Sequence, residues 1–290
     1  MKKFIILIPV FNDWESVAKL LNEINFSISD IKKELEFHCL IINDASTIDA
    51  PLMKKPSNIK KIKIINLKDN TGHARCNAFG VRYVSKNEKF DHLIVMDGDG
   101  EDRPEEIKDL VEKTLSDCEL SVVAKRVKRS EGFIFQILYR VHKVLTFIFT
   151  GKRINFGNYS CLTKNDVDIL SEKASLWSSF SGSLKNHVKK YNEVNSIRGV
   201  RYFGPSKMSL LNLFIHSFAI IAVFKETVFI RSTIMIILLF YLNSTANMLI
   251  VFTQILITFF CILIYCTSRR ESEKDLQNSH LNVKNQQDIT

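Results

Sequence analysis

Four short apolar runs in the first hundred residues constrain the fold of this chain more than any other feature. They read FIILIPV, FHCLIIND, KIKIINL and HLIVMD, and the segments between them show helical spacing of apolar residues. Val17, Leu20, Leu21 and Ile24, for example, fall on one helical face after the first run. Continuous apolar strands that alternate with helices are typical of a parallel sheet covered on both faces. The pattern therefore predicts an α/β fold.

Polar residues follow each of these runs, at the point where the predicted strand ends. The pairs are, in chain order, Asn12 and Asp13, Asn43 and Asp44, Asp69 and Asn70, and Asp97 and Asp99. Open parallel sheets bind ligands at the carboxyl ends of their strands, where the connecting loops carry the chemistry. One strand that ends in an acid indicates little, but four in series predict one shared site.

The acidic loop, residues 97–102 with the sequence DGDGED, crowds four carboxylates into six positions. Asp97 and Asp99 can both point at one divalent cation, and Mg²⁺ or Mn²⁺ keeps coordination positions open for phosphate oxygens. A calcium loop is excluded, because its sixth position is Asp102 instead of Gly and its twelfth is Lys108 instead of Glu. The alternative is a solvated turn that caps the following helix. The residues alone leave both interpretations open.

The rest of the first domain continues the α/β pattern. A helix (EEIKDLVEKTLS), a strand (CELSVVAKRV) and a long helix from about Phe133 to Phe149 follow the acidic loop. A polar turn then leads through NFGNYSC into a short strand and another helix. The segment NEVNSIRGVRYFGPSK closes this domain, which we place at residues 1–207. The N-terminal MKKFIILIPV lacks a cleavage site and predicts a first strand instead of a secretion signal.

Composition and charge limit the classes of binding partner that the chain can have. Hydrophobic residues make up 46% of the chain, which predicts a packed core, and the net charge of +9 fits nucleic acid, an anionic membrane or a phosphorylated substrate. No basic stripe interleaves with aromatic residues in the first domain, which argues against nucleic acid. The six cysteines show no CxxC pairing, which indicates a reducing compartment and argues against a zinc site or a disulfide framework.

The composition becomes apolar after residue 207. MSLLNLFIHSFAIIAVF is apolar except for Ser209, Asn212 and His216, which fall on one helical stripe, so residues 208–225 are predicted to lie in a membrane interface. Two further apolar runs within residues 226–268 are near membrane-spanning length and are joined by the uncharged NSTAN. They predict a transmembrane hairpin, although Arg231 lies in the first run and needs help from its neighbours.

Basic residues after the second apolar run set the predicted orientation. Arg269, Arg270 and Lys274 follow it, and the uncharged connector would face away from the cytoplasm. The first domain would then lie on the cytoplasmic side of an inner membrane crossed more than once. The final residues, 269–290, are polar and are predicted to form a disordered tail. Oligomeric state stays open, with a homo-oligomer among the alternatives.

Four motifs carry a resemblance to a known family. IPVFND, INDAST, DNTGHARCNAFG and MDGDGEDRPEE, in this order, resemble the family 2 glycosyltransferases, which have a GT-A fold with a Rossmann-like sheet. They look most like the polyprenyl-phosphate glycosyltransferases, the group that includes dolichyl-phosphate mannosyltransferase. The resemblance covers about the first 210 residues, and the membrane hairpin is similar to that of bacterial members. Any one motif is weak, but four in sequence are specific.

The resemblance implies roles for residues that match the family motifs. Those implied to bind the nucleotide are Pro9, Phe11, Asn12, Asp13, Asp44, Asp69, Gly72 and Asp97. Asp97 and Asp99 would be catalytic by gripping the metal and the diphosphate, and Glu101 would add a third metal oxygen. Phe11 for Tyr, Asp13 for Glu, and Asn43-Asp44-Ala45 for Asp-Asp-Gly depart from the family pattern. The last of these departures leaves the identity of the nucleotide open.

Basic residues supply a candidate site for an acceptor phosphate, because arginine grips phosphate through paired donors. The candidates are Arg126, also implied to be catalytic, with Arg129, Arg201, Ser206 and Lys207. The segment RYFGPSK looks like the juxtamembrane motif of the polyprenyl-phosphate enzymes. The alternative is that these cations only anchor the chain to a membrane surface. NFGNYSC lacks an arginine that relatives carry, and His73 is expected to be a loop residue instead of a catalytic base.

Three hypotheses follow. The first is an inverting, Mg²⁺- or Mn²⁺-dependent transferase that moves a sugar from a nucleotide diphosphate donor to a polyprenyl phosphate. The second keeps the donor but uses a saccharide or lipid hydroxyl as acceptor, which requires a base, for which Asp166 and Asp168 are poor candidates. The third is a membrane-bound nucleotide-binding protein without catalysis, motivated by the altered NDAST.

Overall fold

The computed structural model describes residues 1–31, 34–128, 133–205, 209–242 and 247–289. The strands are β1 (Lys2–Val10), β2 (Leu35–Asn43), β3 (Lys61–Leu67), β4 (His92–Val95), β5 (Ser121–Lys128), β6 (Phe156–Thr163), β7 (Tyr191–Ile197) and β8 (Val283–Ile289). The helices are α1 (Trp14–Ser29), α2 (His73–Asn87), α3 (Ile107–Ser116), α4 (Phe133–Thr150), α5 (Lys164–Ser171), α6 (Phe180–His187), α7 (Leu210–Ala222), α8 (Lys225–Leu242), α9 (Met248–Ser268) and α10 (Glu273–Gln277).

All eight strands form one sheet in the order β7-β5-β6-β4-β1-β2-β3-β8. The four apolar runs of the sequence are its parallel centre, since β1 pairs in parallel with β2 and β4, and β2 with β3. β6 runs antiparallel between β4 and β5, and β7 is parallel to β5. The predicted α/β fold, with a mostly parallel sheet flanked by helices, is confirmed.

The residues of β1 explain why the central strands read as continuous apolar runs. Ile5 and Leu7 point to one face of the sheet, into the core formed with α2. Phe4, Ile6 and Ile8 alternate with them and pack into the second core, which contains the buried face of α1. Because successive side chains of a strand point to opposite faces, a strand covered on both sides needs apolar residues at every position.

Three long helices follow the last residues of the predicted first domain. α7 and α8 are separated by a short break at which their axes bend by 86°. The helical stretch Met248–Asn282, which begins with α9, is long and apolar enough to cross a membrane, with a window of mean hydropathy 2.5 of which 11% is buried. α7 and α8 pass the same test only when they are taken together as one broken span.

The prediction of a disordered tail is wrong for the described residues 269–289. α10 buries Leu276 completely in the core on the α2 side of the sheet, and β8 pairs antiparallel with β3. Without β8, the backbone groups of β3 would form an open sheet edge, and an unpaired edge readily binds another strand. The tail therefore gains its order from backbone pairing, which the polar sequence VKNQQDI does not reveal.

Candidate active site

The carboxyl ends of the parallel strands meet as predicted, and the acidic loop lies directly over the end of β1. A Cβ atom at Gly98 would lie only 2.9 Å from the carbonyl oxygen of the buried Pro9. The backbone N–H of Met96 donates to the Leu7 carbonyl at 3.1 Å, which continues the strand pairing up to the loop. Gly98 is thus required at this position because any side chain would push the acidic loop off β1.

Asp44, at the end of β2, holds a neighbouring loop in place. We call residues 69–72 the nucleotide loop, since the resemblance assigns them to the base. Asp44 is 3% exposed and accepts hydrogen bonds from the Thr71 N–H at 2.8 Å, the Thr71 hydroxyl at 2.9 Å and the Gly72 N–H at 2.9 Å. Asn70 donates to the Asp44 carbonyl at 3.0 Å. Both carboxylate oxygens are therefore engaged by the nucleotide loop, so Asp44 holds this loop in place instead of facing a ligand.

The end of β1 supplies residues that line the same cleft. Asn12 has a positive φ of 51° and accepts from the backbone N–H of Thr47 at 2.8 Å, which ties the ends of β1 and β2 together. Phe11 is 41% exposed, so part of its ring faces solvent, where a planar ligand such as a base could stack on it. Asp13 accepts from the Ser16 hydroxyl at 2.7 Å through one oxygen and from Arg201 through the other.

Asp97 is fixed by two side chains that the sequence did not assign to the site. In the antiparallel register of β4 and β6, Val95 lies opposite Ser160, so Asn158 falls beside Asp97. The amide of Asn158 donates to the Asp97 Oδ1 at 3.2 Å, and the His73 Nε2 lies 3.3 Å from the same oxygen. His73 is the first residue of α2, which contradicts its expected loop position.

The two halves of the acidic loop have different roles. The Asp97 N–H donates to the Asp102 carboxylate at 2.9 Å, so Asp102 closes the loop on itself. Glu106, in the turn before α3, accepts from the Ile197 N–H at 2.9 Å. Asp102 and Glu106 are buried, and they accept from the backbone N–H groups of residues 97 and 197 instead of capping the helix, so neither fits the solvated capping turn. Asp97 and Asp99, whose carboxylates meet residues from distant parts of the chain, fit the ligand-binding interpretation.

Arginines from far along the chain face the acidic loop. Arg201 donates to the Asp99 Oδ2 at 2.7 Å and also to Asp13, and Arg198 pairs with Glu101. The same segment also binds the acidic loop through its backbone, since the Tyr202 N–H donates to the Asp99 carbonyl at 2.9 Å. These contacts bring the basic segment predicted for an acceptor phosphate directly onto the predicted metal ligands.

Arg126 approaches the acidic loop from β5. Its Nη2 lies 3.9 Å from the Asp102 Oδ1, and its side chain is 15% exposed. A Cβ at Gly157 would lie 2.5 Å from the same Nη2, so the guanidinium would have to move aside for any other residue at this position. Of the other predicted phosphate ligands, Arg129, Ser206 and Lys207 lie outside the described residues.

Crowding of the carboxylates shifts their pKa values in opposite directions. Burial alone would raise the pKa of Asp97, but His73 and Asn158, helped by the charge of Arg126, hold it below the usual range. Burial and the charge of Asp97 raise the pKa of Asp99, and the same two causes raise that of Asp102 to about 7. Asp99 and Asp102 thus bind a proton more readily than isolated carboxyl groups do, and a cation beside them would favour their charged forms.

The donor set fits a divalent ion only if a ligand completes it. Among the described residues, no three His, Cys, Asp or Glu side chains are grouped closely enough to hold a metal by themselves. Mg²⁺ in proteins is commonly bound by one or two carboxylates together with substrate phosphates. Asp97 and Asp99, separated by one residue, fit such a shared site, and Glu101 is turned towards Arg198.

Comparisons with known proteins agree with this geometry. The family model described as Glycosyl transferase family 2 matches residues 5–179. Undecaprenyl-phosphate 4-deoxy-4-formamido-L-arabinose transferases of Salmonella choleraesuis (strain SC-B67) and Salmonella paratyphi B are each 28% identical over 221 residues. The aligned region covers 73% of this chain but only 64% of each relative, so the chain spans less than two thirds of their length.

Solved structures show the same fold. A crystal structure of glucosyl-3-phosphoglycerate synthase from Mycobacterium tuberculosis, in complex with Mn²⁺, UDP-glucose and phosphoglyceric acid, matches with a TM-score of 0.53 at 13% identity. The match covers 78% of this chain and 80% of that one, which confirms the predicted GT-A fold and, at this identity, nothing beyond the fold. Because the family model covers more than half of the 290 residues, the chain belongs to glycosyl transferase family 2.

Proposed function

We propose that the protein is an inverting, metal-dependent glycosyltransferase that moves a sugar from a nucleotide diphosphate to a polyprenyl phosphate. The names of the curated relatives include undecaprenyl-phosphate, and a structure with the same fold was solved with Mn²⁺ and UDP-glucose. The observation that carries the proposal is the contact of Arg201 with both Asp13 and Asp99. It joins a basic segment suited to a membrane-held phosphate to carboxylates suited to a metal-bound donor.

On the donor side, Asp97 and Asp99 would hold Mg²⁺ or Mn²⁺, with Glu101 as the third candidate ligand. Such an ion would supply positive charge that stabilises the departing diphosphate. The cleft residues that contact the nucleotide are Pro9, Phe11, Asn12, Asp13, Asp69 and Gly72. Asp44 contributes by holding the nucleotide loop, since both of its oxygens are already hydrogen-bonded to that loop.

On the acceptor side, a phosphate oxygen attacks the anomeric carbon of the donor sugar. The new carbon–oxygen bond forms as the bond to the diphosphate breaks, the nucleoside diphosphate leaves with the electron pair, and the configuration inverts. A phosphate is ionised at neutral pH and needs no general base. Arg126 and Arg201 bind it through paired donors, with Arg129, Ser206 and Lys207 as further candidate ligands.

Transfer to a hydroxyl group is the second candidate, favoured by the missing arginine in NFGNYSC. A hydroxyl needs a base to remove its proton. Asp166 accepts from Ser121, and Asp168 accepts from the Ser85 hydroxyl at 2.7 Å, so both carboxylates are engaged by serines on the α5 side. The nitrogen of His73 that faces the site already contacts Asp97 and Asn158. A phosphate acceptor therefore fits this arrangement better.

The sheet supports the proposed membrane hairpin. β8 follows α9 in sequence and yet pairs with β3, which favours a chain that enters and leaves the membrane on the same side. A single crossing by α9 would separate β8 from the rest of the sheet. Two crossings fit this arrangement, and the partner that the chain offers is α8, which is long and apolar enough only when it is taken together with α7. The GT-A domain and the tail would then face the cytoplasm.

The decisive experiment replaces Asp99 with Asn in membranes supplied with a labelled nucleotide sugar and polyprenyl phosphate. We expect at least a thousandfold loss of lipid-linked product, since the metal that would bind the diphosphate loses a negatively charged ligand. Asp109→Asn, which changes an exposed carboxylate on α3, is the matched control and should retain activity. Unchanged product formation by Asp99→Asn would defeat the proposal.

The chemistry of the product distinguishes the two acceptor classes. A sugar linked to phosphate is released by mild acid far more readily than a sugar in an ordinary glycoside. We expect the labelled product to be acid-labile and to extract with lipid. An acid-stable product would replace the phosphate acceptor by a hydroxyl acceptor while leaving the donor site as proposed. Absence of turnover with every donor, donor hydrolysis included, would favour a binding protein without catalysis.

A further inference from the structure

A basic cavity lies outside the candidate active site, between the end of α4 and the start of β7. Its volume is about 430 Å³. Four cations line it, Lys152, Arg153, Lys185 and Lys189, together with Tyr191. None of the described residues that line it is acidic, and none belongs to the candidate donor or acceptor residues.

The contacts of these cations leave their charge uncompensated. Lys185 donates to the Tyr191 hydroxyl at 2.5 Å and lies over the same ring at 4.9 Å. The guanidinium of Arg153 lies 5.0 Å from the ring of Phe147. No ion pair involves any of the four in the part of the chain that the structure describes. Four like charges around one cavity create a positive potential that attracts an anion.

The helix that leads into the cavity carries an exposed apolar stripe. Ile137, Val141, Val144 and Ile148 follow the spacing of one helical face of α4 and are between 39% and 55% exposed. The opposite side of α4 packs Phe149 against α7 and α9. A continuous apolar stripe is unfavourable in water, and flanking basic residues such as Arg140 are typical of helices that lie in a membrane interface.

The cavity is also in contact with the helices that are candidates for the membrane. Arg231 of α8 donates through its Nε to the Ile148 carbonyl at 2.9 Å. A Cβ at Gly151, on the rim of the cavity, would lie 3.0 Å from the Arg231 Nη1. The cavity thus opens where α4 and α8 meet, at the level at which the chain would enter a bilayer and where phospholipid phosphates are concentrated.

We propose that this cavity binds the phosphate headgroup of an anionic phospholipid and so orients the domain on the bilayer. The ligand is a phosphodiester with a net negative charge, and Lys152, Arg153, Lys185 and Lys189 supply the charge that recognises it. The Tyr191 hydroxyl and the rim at Gly151 set the size of the headgroup. This binding rests on the proposed membrane attachment and is independent of glycosyl transfer.

The test measures binding of dihexanoyl phosphatidylglycerol to the full-length protein purified in a non-ionic detergent. Dihexanoyl phosphatidylcholine and inorganic phosphate are the comparison ligands, and neither donor nor acceptor is present. We expect the phosphatidylglycerol to bind more tightly than either. In Lys152→Ala/Lys189→Ala, its affinity should fall about thirtyfold, because each lysine near a membrane phosphate contributes about 1 kcal/mol.

The matched control, Lys108→Ala/Lys113→Ala, removes two exposed lysines from α3 and should bind phosphatidylglycerol like the unaltered protein. Equal affinity for inorganic phosphate would overturn the lipid assignment, because it identifies a site for free phosphate. If Lys152→Ala/Lys189→Ala raised the KM for polyprenyl phosphate in a separate transfer assay and left phosphatidylglycerol binding unchanged, the lipid assignment would also be overturned. The cavity would then belong to the acceptor path. Failure of glycosyl transfer alone leaves these binding measurements, and hence the proposal, standing.

Discussion

The nucleotide loop and the acidic loop both hold carboxylates at strand ends, but they neutralise them differently. Asp44 is satisfied by N–H and hydroxyl groups of residues 71 and 72, which belong to the same βαβ region. One oxygen of Asp99 accepts from the Glu101 N–H at 3.1 Å, but the other accepts from Arg201, 102 residues away in sequence. Backbone donors are permanent parts of the fold, whereas an arginine side chain can be exchanged for another cation. The comparison separates a structural carboxylate from one that is able to exchange partners.

After Asp99→Asn, the largest effect should come from Arg201→Ala, which removes the exchangeable cation. We expect glycosyl transfer to fall at least a hundredfold, because the acceptor phosphate loses a paired donor. Binding of Mn²⁺ without donor should tighten severalfold, because the cation that competes for Asp13 and Asp99 is gone. Steady-state transfer and titration calorimetry measure the two quantities.

Arg103→Ala is the control for this prediction, since Arg103 pairs with Glu105, at 2.5 Å, on the outer side of the same region. It should change neither quantity by more than about twofold, as expected for a partly exposed pair. Weaker Mn²⁺ binding in Arg201→Ala would show that the arginine supports the metal site instead of competing for it.

Asp44→Ala should mainly lower the free energy of unfolding, because Asp44 holds the nucleotide loop. Three donors of the nucleotide loop lose their charged acceptor, and two of them are backbone N–H groups with no alternative partner among the described residues. The free energy of unfolding should fall by about 2 kcal/mol. Denaturant unfolding of Asp44→Ala and of Asp99→Asn checks this, and the second variant should change stability by less than about 1 kcal/mol. Equal losses would remove the distinction between the two carboxylates.

The smallest effect should come from Asn282→Ala, which tests whether the tail holds the nucleotide loop. The Asn282 side chain accepts from the Asp69 N–H at 3.0 Å and donates to the Asp69 carbonyl at 3.0 Å. We expect the KM for the nucleotide sugar to rise threefold to tenfold with kcat unchanged, at a cost of about 1 kcal/mol. Asn278→Ala, in the same turn, is the control, and a change in kcat alone would contradict a positioning role.

The sequence predicts the centre of the molecule well because two physical signals coincide there. Strands that are covered on both faces need apolar residues at every position. The polar residues that follow these strands identify the edge of the sheet at which ligands bind. Asn158 and His73 were missed because their contacts with Asp97 depend on the strand register and on the start of α2. The target of Arg201 was missed for a similar reason, since sequence distance gives no information on which carboxylates face it.

The tail shows the opposite limit of sequence reasoning. β8 has only Val283 and Ile289 to pack, so its composition is that of a disordered segment, and its order comes from hydrogen bonds to β3. The Asn43 amide donates to the Asn66 side-chain oxygen at 2.7 Å, and the Asn66 amide donates to that of Asn285 at 2.6 Å. The three side chains form a row across β2, β3 and β8, at one edge of the sheet. Such a row is evident only when the pairing is known.

The position of β8 also sets an order of events during synthesis. β3 is complete after residue 67, but the strand that covers its edge leaves the ribosome only after α8 and α9 have been made. Until then the edge next to the nucleotide loop is unpaired, and it is free to bind another strand. The last strand can close this edge only after both helices have been synthesised, so the sheet beside the nucleotide loop is completed last.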